Sequence, residues 1–263
     1  MKAGIIGCGF IGNELAIFID KSKELRLIGV NDIDKKKAND LVKRLKNNKP
    51  KSMELNDLIK KCDLIIESAT KNVIKEILSN KNLDKSNKSL LIMSTGGLIN
   101  NFNLLNKIKN CRIYLPSGAI AGLDAIKTVS GRIKSLTLTT TKPIKGLKDA
   151  PYILKKRINL EKIKTGKVVF EGNLKDAVNR FPQNINVAAT LFLASKFRNI
   201  RVKIIADPDT KFNTHEIKAV GDFGEINAIT RNMPSKNTKT SYLAVLSAIN
   251  ILKTLKNNVR IGN

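Results

Sequence analysis

Residues 2–14 read KAGIIGCGFIGNE, and this stretch decides the fold. The apolar run 2–6 has the composition of a buried strand, and residues 11–20 (IGNELAIFID) continue as a helix. Between them stands Gly7-Cys8-Gly9-Phe10-Ile11-Gly12, a G-x-G-x-x-G at a strand-to-helix turn. Gly7 permits the tight turn, Gly9 lets backbone approach a pyrophosphate, and Gly12 allows close packing of helix on strand. The amides of the first helical turn, Phe10 and Ile11 among them, then face the phosphates. Such a motif is weak alone. Here a second strand, 25–30 (LRLIGV), runs into Asn31-Asp32, and Asp32 follows Gly12 by 20 residues, where a carboxylate can take the hydroxyls of an adenosine ribose. Gly7, Gly9, Phe10, Ile11, Gly12 and Asp32 are therefore expected to hold a dinucleotide. Asp32 argues for NAD, since a carboxylate repels the 2′-phosphate of NADP. Lys35, Lys36 and Lys37 follow it, and either pair that phosphate or form a solvated first helical turn. NAD and NADP both stay open.

Outward from the motif, helix 34–45 and strands 63–67, 89–93 and 112–115 with helical segments between them continue a βαβ alternation. Residues 1–118 are expected to form a Rossmann-type doubly wound parallel sheet. Ser94-Thr95-Gly96-Gly97 and Pro116–Gly122 follow strands at their carboxyl ends, where ligands of such sheets gather; they either let a nicotinamide lie on backbone or are tight connections. From about Ile120 the texture changes. Segments 134–143, 168–172, 202–209 and 214–232 alternate or read as strands, with helical stretches at 122–131, 174–181 and 186–195. These strands are amphipathic, so residues 119–237 are expected to form a second α+β domain with an open mixed or antiparallel sheet. Segment 238–256 has apolar residues at helical spacing, and the C-terminal helix within 238–263 is expected to pack back on the first domain.

The chain of 263 residues carries 48 Lys and Arg against 22 Asp and Glu, a formal charge of +26. That balance raises nucleic acid as a partner, but the basic residues are spread along polar helix faces and only 5% of residues are aromatic, so no specific nucleic-acid binding is expected. A cationic surface also steers anionic substrates and cofactors. Without a run of about 18 apolar residues, and with the N-terminus leading directly into the glycine motif, a cytoplasmic protein without membrane contact is expected. Cys8, Cys62 and Cys111 lie far apart in no metal-ligand spacing, and no metal is expected.

His215, in Asn213-Thr214-His215-Glu216, is the chain's one histidine. A lone histidine is more often a packed or solvated bystander. It is also the residue whose charge changes near neutrality, as proton transfer in amine oxidation requires.

YLPSGAIAGLDAIK (114–127), TLTTTKP (137–143), FEGNLKDAVNRFPQNINVAATL (170–191), ADPDTKFNTHEI (206–217) and TKTSYLAVLSAI (238–249), together with the glycine motif, resemble the L-aspartate dehydrogenases in order along nearly the whole chain. That resemblance implies NAD- or NADP-dependent oxidation of L-aspartate to iminoaspartate, which gives oxaloacetate and ammonia or feeds de novo NAD synthesis, in a homodimer. It implies His215 as the catalytic histidine and Ala121 and Asn186 as cofactor contacts. Ser117, Lys142 and Lys239 are further expected at the substrate carboxylates. A reductase of the same two-domain plan, such as a dihydrodipicolinate reductase, is the alternative enzyme, although that family is marked by paired histidines. A non-catalytic dinucleotide sensor or nucleic-acid-binding protein is the alternative outside enzymes.

Overall fold

The computed structural model describes residues 1–181, 185–233, 241–255 and 257–259. Its contacts divide the chain into two compact units, Met1–Pro116 with Ala248–Lys253, and Ser117–Ser247 with Thr254–Asn263.

The first unit runs β1 (Lys2–Ile6), α1 (Phe10–Asp20), β2 (Arg26–Asn31), α2 (Lys35–Arg44), β3 (Lys51–Ser52), α3 (Leu55–Lys61), β4 (Leu64–Glu67), α4 (Ile74–Leu78), β5 (Ser89–Ile92), a 3-10 turn (Thr95–Asn101), α5 (Phe102–Leu105) and β6 (Arg112–Tyr114). The sheet has the order β3-β2-β1-β4-β5-β6, and every pairing is parallel. The Rossmann-type sheet is therefore present. All residues of β4 and β5 are buried, as strands covered on both faces must be. The order reverses between β1 and β4, so their carboxyl ends, at Gly7 and Ser68, flank the point where open α/β sheets take ligands. β3 was not legible in the sequence, because two exposed edge residues carry no apolar pattern.

The second unit contains α6 (Leu123–Thr128), β7 (Ile133–Lys142), α7 (Pro151–Lys155), β8 (Lys167–Asn173), α8 (Leu174–Arg180), α9 (Asn186–Ser195), β9 (Arg201–Ala206), β10 (Asn213–Gly221) and β11 (Gly224–Asn232). Its sheet has the order β11-β10-β7-β9-β8, with β7 and β9 parallel and the other pairs antiparallel, the mixed sheet expected. The long alternating run 214–232 folds as a hairpin in which Gly221 opposes Gly224. Tyr152, Phe170 and Phe181 pack ring on ring, with centroids 5.2–5.5 Å apart, and the Arg180 guanidinium covers two of them. The final helix, α10, spans Tyr242–Thr254 with Ser241 as its N-cap residue; residues 238–240 and 256 of the expected segment lie outside the described residues. Its Ala248–Lys253 portion clusters with the first unit, where the Lys253 ammonium lies 5.9 Å from the centre of the Phe18 ring.

Candidate active site

At the glycine turn, Gly7 has φ +93°, a conformation L side chains rarely adopt, and a Cβ on Gly12 would lie 1.9 Å from the Gly7 carbonyl oxygen. These two glycines are required by packing. A Cβ on Gly9 would meet nothing within 4 Å, so open space lies over the turn at the N-terminus of α1. Gly9 caps that helix without a side chain, and the first N–H groups of a helix have no partner inside it. Open space, unshared amides and a helix dipole together suit a pyrophosphate. The Asp32 carboxylate accepts from Cys8 N at 2.7 Å and from Asp34 N at 2.9 Å, which fixes it at the end of β2 with further accepting capacity on both oxygens. Ser68 ties β4 to the turn by donating to Gly7 O at 2.9 Å. Beneath it Glu67, wholly buried, accepts from Ala69 N and Ser94 N, each at 2.9 Å, and burial pushes its carboxyl up to about 7. It thereby clamps the connections after β4 and β5 to each other.

The second sheet carries a different arrangement. Along β7 the inward positions run Leu136, Leu138, Thr140, Lys142, and along β10 they run Ala219, Ile217, His215, Asn213. Register pairs Leu138 with Ile217 and Thr140 with His215, so one face passes from apolar to polar along its length. On β11, Thr230 and Asn232 stand opposite His215 and Asn213. His215 is 4% exposed, and its Nδ1 lies 3.0 Å from Thr140 Oγ1. Burial, aided by the neighbouring Lys142 charge, pushes its pKa down to about 3, so the imidazole is neutral at pH 7. Lys142 is also 4% exposed, and burial pushes its ammonium down to about 8. Thr230 Oγ1 donates to Ala119 O at 2.7 Å and Asn232 Nδ2 donates to the same oxygen at 3.0 Å, which anchors the 117–122 loop at this polar end.

Residues 124–255 match the sequence model of a family described as aspartate dehydrogenase, C-terminal, and residues 7–116 match the homoserine dehydrogenase NAD-binding domain. The L-aspartate dehydrogenase of Methanosarcina mazei is 42% identical over 100% of this chain and 99% of its own, and that of Methanosarcina acetivorans is 43% identical with the same coverage. The chain belongs to the L-aspartate dehydrogenase family. The crystal structure of aspartate dehydrogenase from Thermotoga maritima shares the fold, with a TM-score of 0.75 at 24% identity over 100% of this chain and 99% of that one. A scyllo-inositol dehydrogenase from Lactobacillus casei, solved with NAD(H), has the same overall plan at a TM-score of 0.55 and 14% identity. A nicotinamide dinucleotide cofactor accordingly goes with the first unit of this member of the L-aspartate dehydrogenase family.

Of the residues singled out in the sequence, the structure gathers His215 and Lys142 on one buried face, and gathers Gly7, Gly9, Phe10, Ile11, Gly12 and Asp32 around one turn. Ser117 is half-buried and Ala121 exposed in the loop that Ala119 anchors, while Asn186 is exposed at the first position of α9. Lys239 lies outside the described residues. Thr140, Asn213, Thr230 and Asn232 escaped the sequence reading. Their signal was parity: in a strand whose inward positions begin Leu136, Leu138, the polar Thr140 and Lys142 keep the inward phase.

Proposed function

We propose that the protein catalyses NAD(P)-dependent oxidation of L-aspartate to iminoaspartate, with His215 as the proton-transferring group and Lys142 as a cation for a substrate carboxylate. The observation that carries this reading is the pairing of a buried imidazole with a buried ammonium on the polar end of the second sheet, in a chain whose first unit fits a dinucleotide. The bound nicotinamide supplies the acceptor for the hydride that leaves Cα. The substrate ammonium must also lose a proton, and water must add to the imine before the C–N bond breaks to give oxaloacetate and ammonia. His215 suits both transfers. In the tautomer that carries its proton on Nδ1, that N–H donates to Thr140 Oγ1 and Nε2 is the accepting nitrogen. An incoming dicarboxylate raises the proton affinity of both His215 and Lys142, because nearby negative charge favours their charged forms. Substrate binding therefore moves the imidazole from a pKa of about 3 toward the range useful for proton transfer.

For the cofactor, the reading favours NAD. Asp32 is held at the end of β2, where a carboxylate suits ribose hydroxyls, while two of the three neighbouring lysines are paired with carboxylates, Lys35 with Glu54 at 3.2 Å and Lys37 with Asp34 at 3.7 Å. Following NADH formation with L-aspartate, D-aspartate, L-glutamate and L-malate tests the assignment. L-aspartate alone should give strong turnover, and His215→Ala should lower kcat by about 10²–10⁴-fold, the usual size of a general acid–base contribution. Equal turnover of L-malate, or an unaffected His215→Ala, would defeat it.

A further inference from the structure

Asn213 opens β10 two residues before His215 and faces the same side of the sheet. It stands opposite Asn232 on β11 and, one step beyond the Thr214–Thr141 pair, across from Lys142 on β7. Directly opposed side chains of this kind have Cβ atoms about 5 Å apart. The residue is 1% exposed, yet neither Nδ2 nor Oδ1 has a hydrogen-bond partner among the described residues. Its neighbours are satisfied: Asn232 Nδ2 donates to Ala119 O, Asn213 O and Thr230 Oγ1, and His215 is bonded to Thr140. Burying an amide without partners is unfavourable, and a fold that keeps one there calls for a reason. What Asn213 brings to this face of the sheet that a leucine would not is two donors and an acceptor, on the side it shares with Lys142 and His215.

We infer that the Asn213 amide is a substrate-recognition group: Nδ2 donates to the substrate carboxylate that the Lys142 ammonium neutralises, and Oδ1 accepts from the substrate amine. This inference rests on the function proposed above. The division of labour is chemical. An ammonium attracts any anion without direction, whereas an amide with both a donor and an acceptor selects a ligand carrying a carboxylate and a hydrogen-bond donor together. The orphaned amide is satisfied when the amino acid binds, and a dicarboxylate with no donor at that carbon, such as succinate, leaves Oδ1 unpartnered.

Steady-state kinetics and thermal melting of wild type, Asn213→Leu and Asn213→Asp test this. In Asn213→Leu, KM for L-aspartate rises about 10- to 100-fold, the range for losing a hydrogen bond to a charged group. Its ligand-free melting temperature holds or rises, because an unsatisfied amide has been removed, and the dissociation constant for NADH is unchanged. Asn213→Asp, equal in size to the parent, covers the case in which the leucine variant does not fold; its carboxylate opposes the substrate's, and KM rises further while it pairs with Lys142. A lower melting temperature with unchanged KM in either variant assigns Asn213 a purely structural role and overturns the inference alone. Absence of L-aspartate turnover by wild type overturns the proposed function, and this inference with it.

Discussion

Replacing Lys142 by Met separates the charge of this buried side chain from its packing. The two chains are similar in length, and Lys142 is 4% exposed, so little solvent screening intervenes. Burial holds the ammonium at about 8 against 10.5 for an ordinary lysine. At about 1.36 kcal/mol per unit, that gap corresponds to about 3 kcal/mol of stability withheld while the group is charged. The folded pKa is the lower one, so between about pH 8 and 10.5 the unfolded chain binds more protons and the free energy of unfolding climbs with pH. Isothermal urea titrations of both proteins at half-unit steps from pH 7 to 10.5 read this directly, and the difference between them cancels the remaining lysines. Lys142→Met should be more stable at pH 7 by up to about 3 kcal/mol, and the advantage should shrink as wild type gains stability toward pH 10.5. The same variant should raise the pKa of His215, although not to 6.5, since burial remains the larger cause of its depression. With one histidine in the chain, its imidazole resonance is unambiguous by NMR. A stability difference constant across the pH range, or an unmoved imidazole titration, would refute the electrostatic account.

Two other perturbations separate packing from binding. Gly12→Ala places a Cβ 1.9 Å from Gly7 O and should destabilise the fold by about 1–3 kcal/mol while weakening NADH binding, whereas Gly9→Ala, with nothing within 4 Å, should leave the melting temperature alone and weaken NADH binding only. Melting curves beside NADH fluorescence titrations distinguish the two; a Gly9→Ala protein that binds NADH normally would remove the pyrophosphate from this turn. Thr140→Val keeps the shape and removes the hydroxyl at 3.0 Å from His215 Nδ1, so stability should fall by about 1–3 kcal/mol and kcat by about tenfold or more. Unchanged kcat in a folded Thr140→Val protein would show that the imidazole needs no such orientation.

The parts of the molecule that were legible in the sequence are those whose physics is local. Gly7, Gly12 and Asp32 sit at spacings set by one strand, one turn and one helix, and β4 and β5 declare their burial in uninterrupted aliphatic runs. The site on the second sheet is not local: Lys142 and His215 lie 73 positions apart, and β7 meets β10 through register that the intervening chain does not announce. The resemblance to a known family points to His215, whereas no local pattern in the sequence separates Lys142 from the chain's many other lysines. Asn213 was passed over because its peculiarity, an amide buried without partners, exists only once β10 is paired on both sides. Glu67 reads in the sequence as the polar end of a strand, and only the fold shows it wholly buried beneath two connections.

The central claim is that hydride and nitrogen meet at the same carbon of a four-carbon dicarboxylate. Supplying oxaloacetate, ammonium and NADH carrying deuterium at both C4 positions of the nicotinamide, and analysing the product by mass spectrometry, tests it most directly. The account predicts L-aspartate carrying one deuterium at C2. Deuterated malate would mean that the carbonyl and not the imine is reduced, and would contradict it.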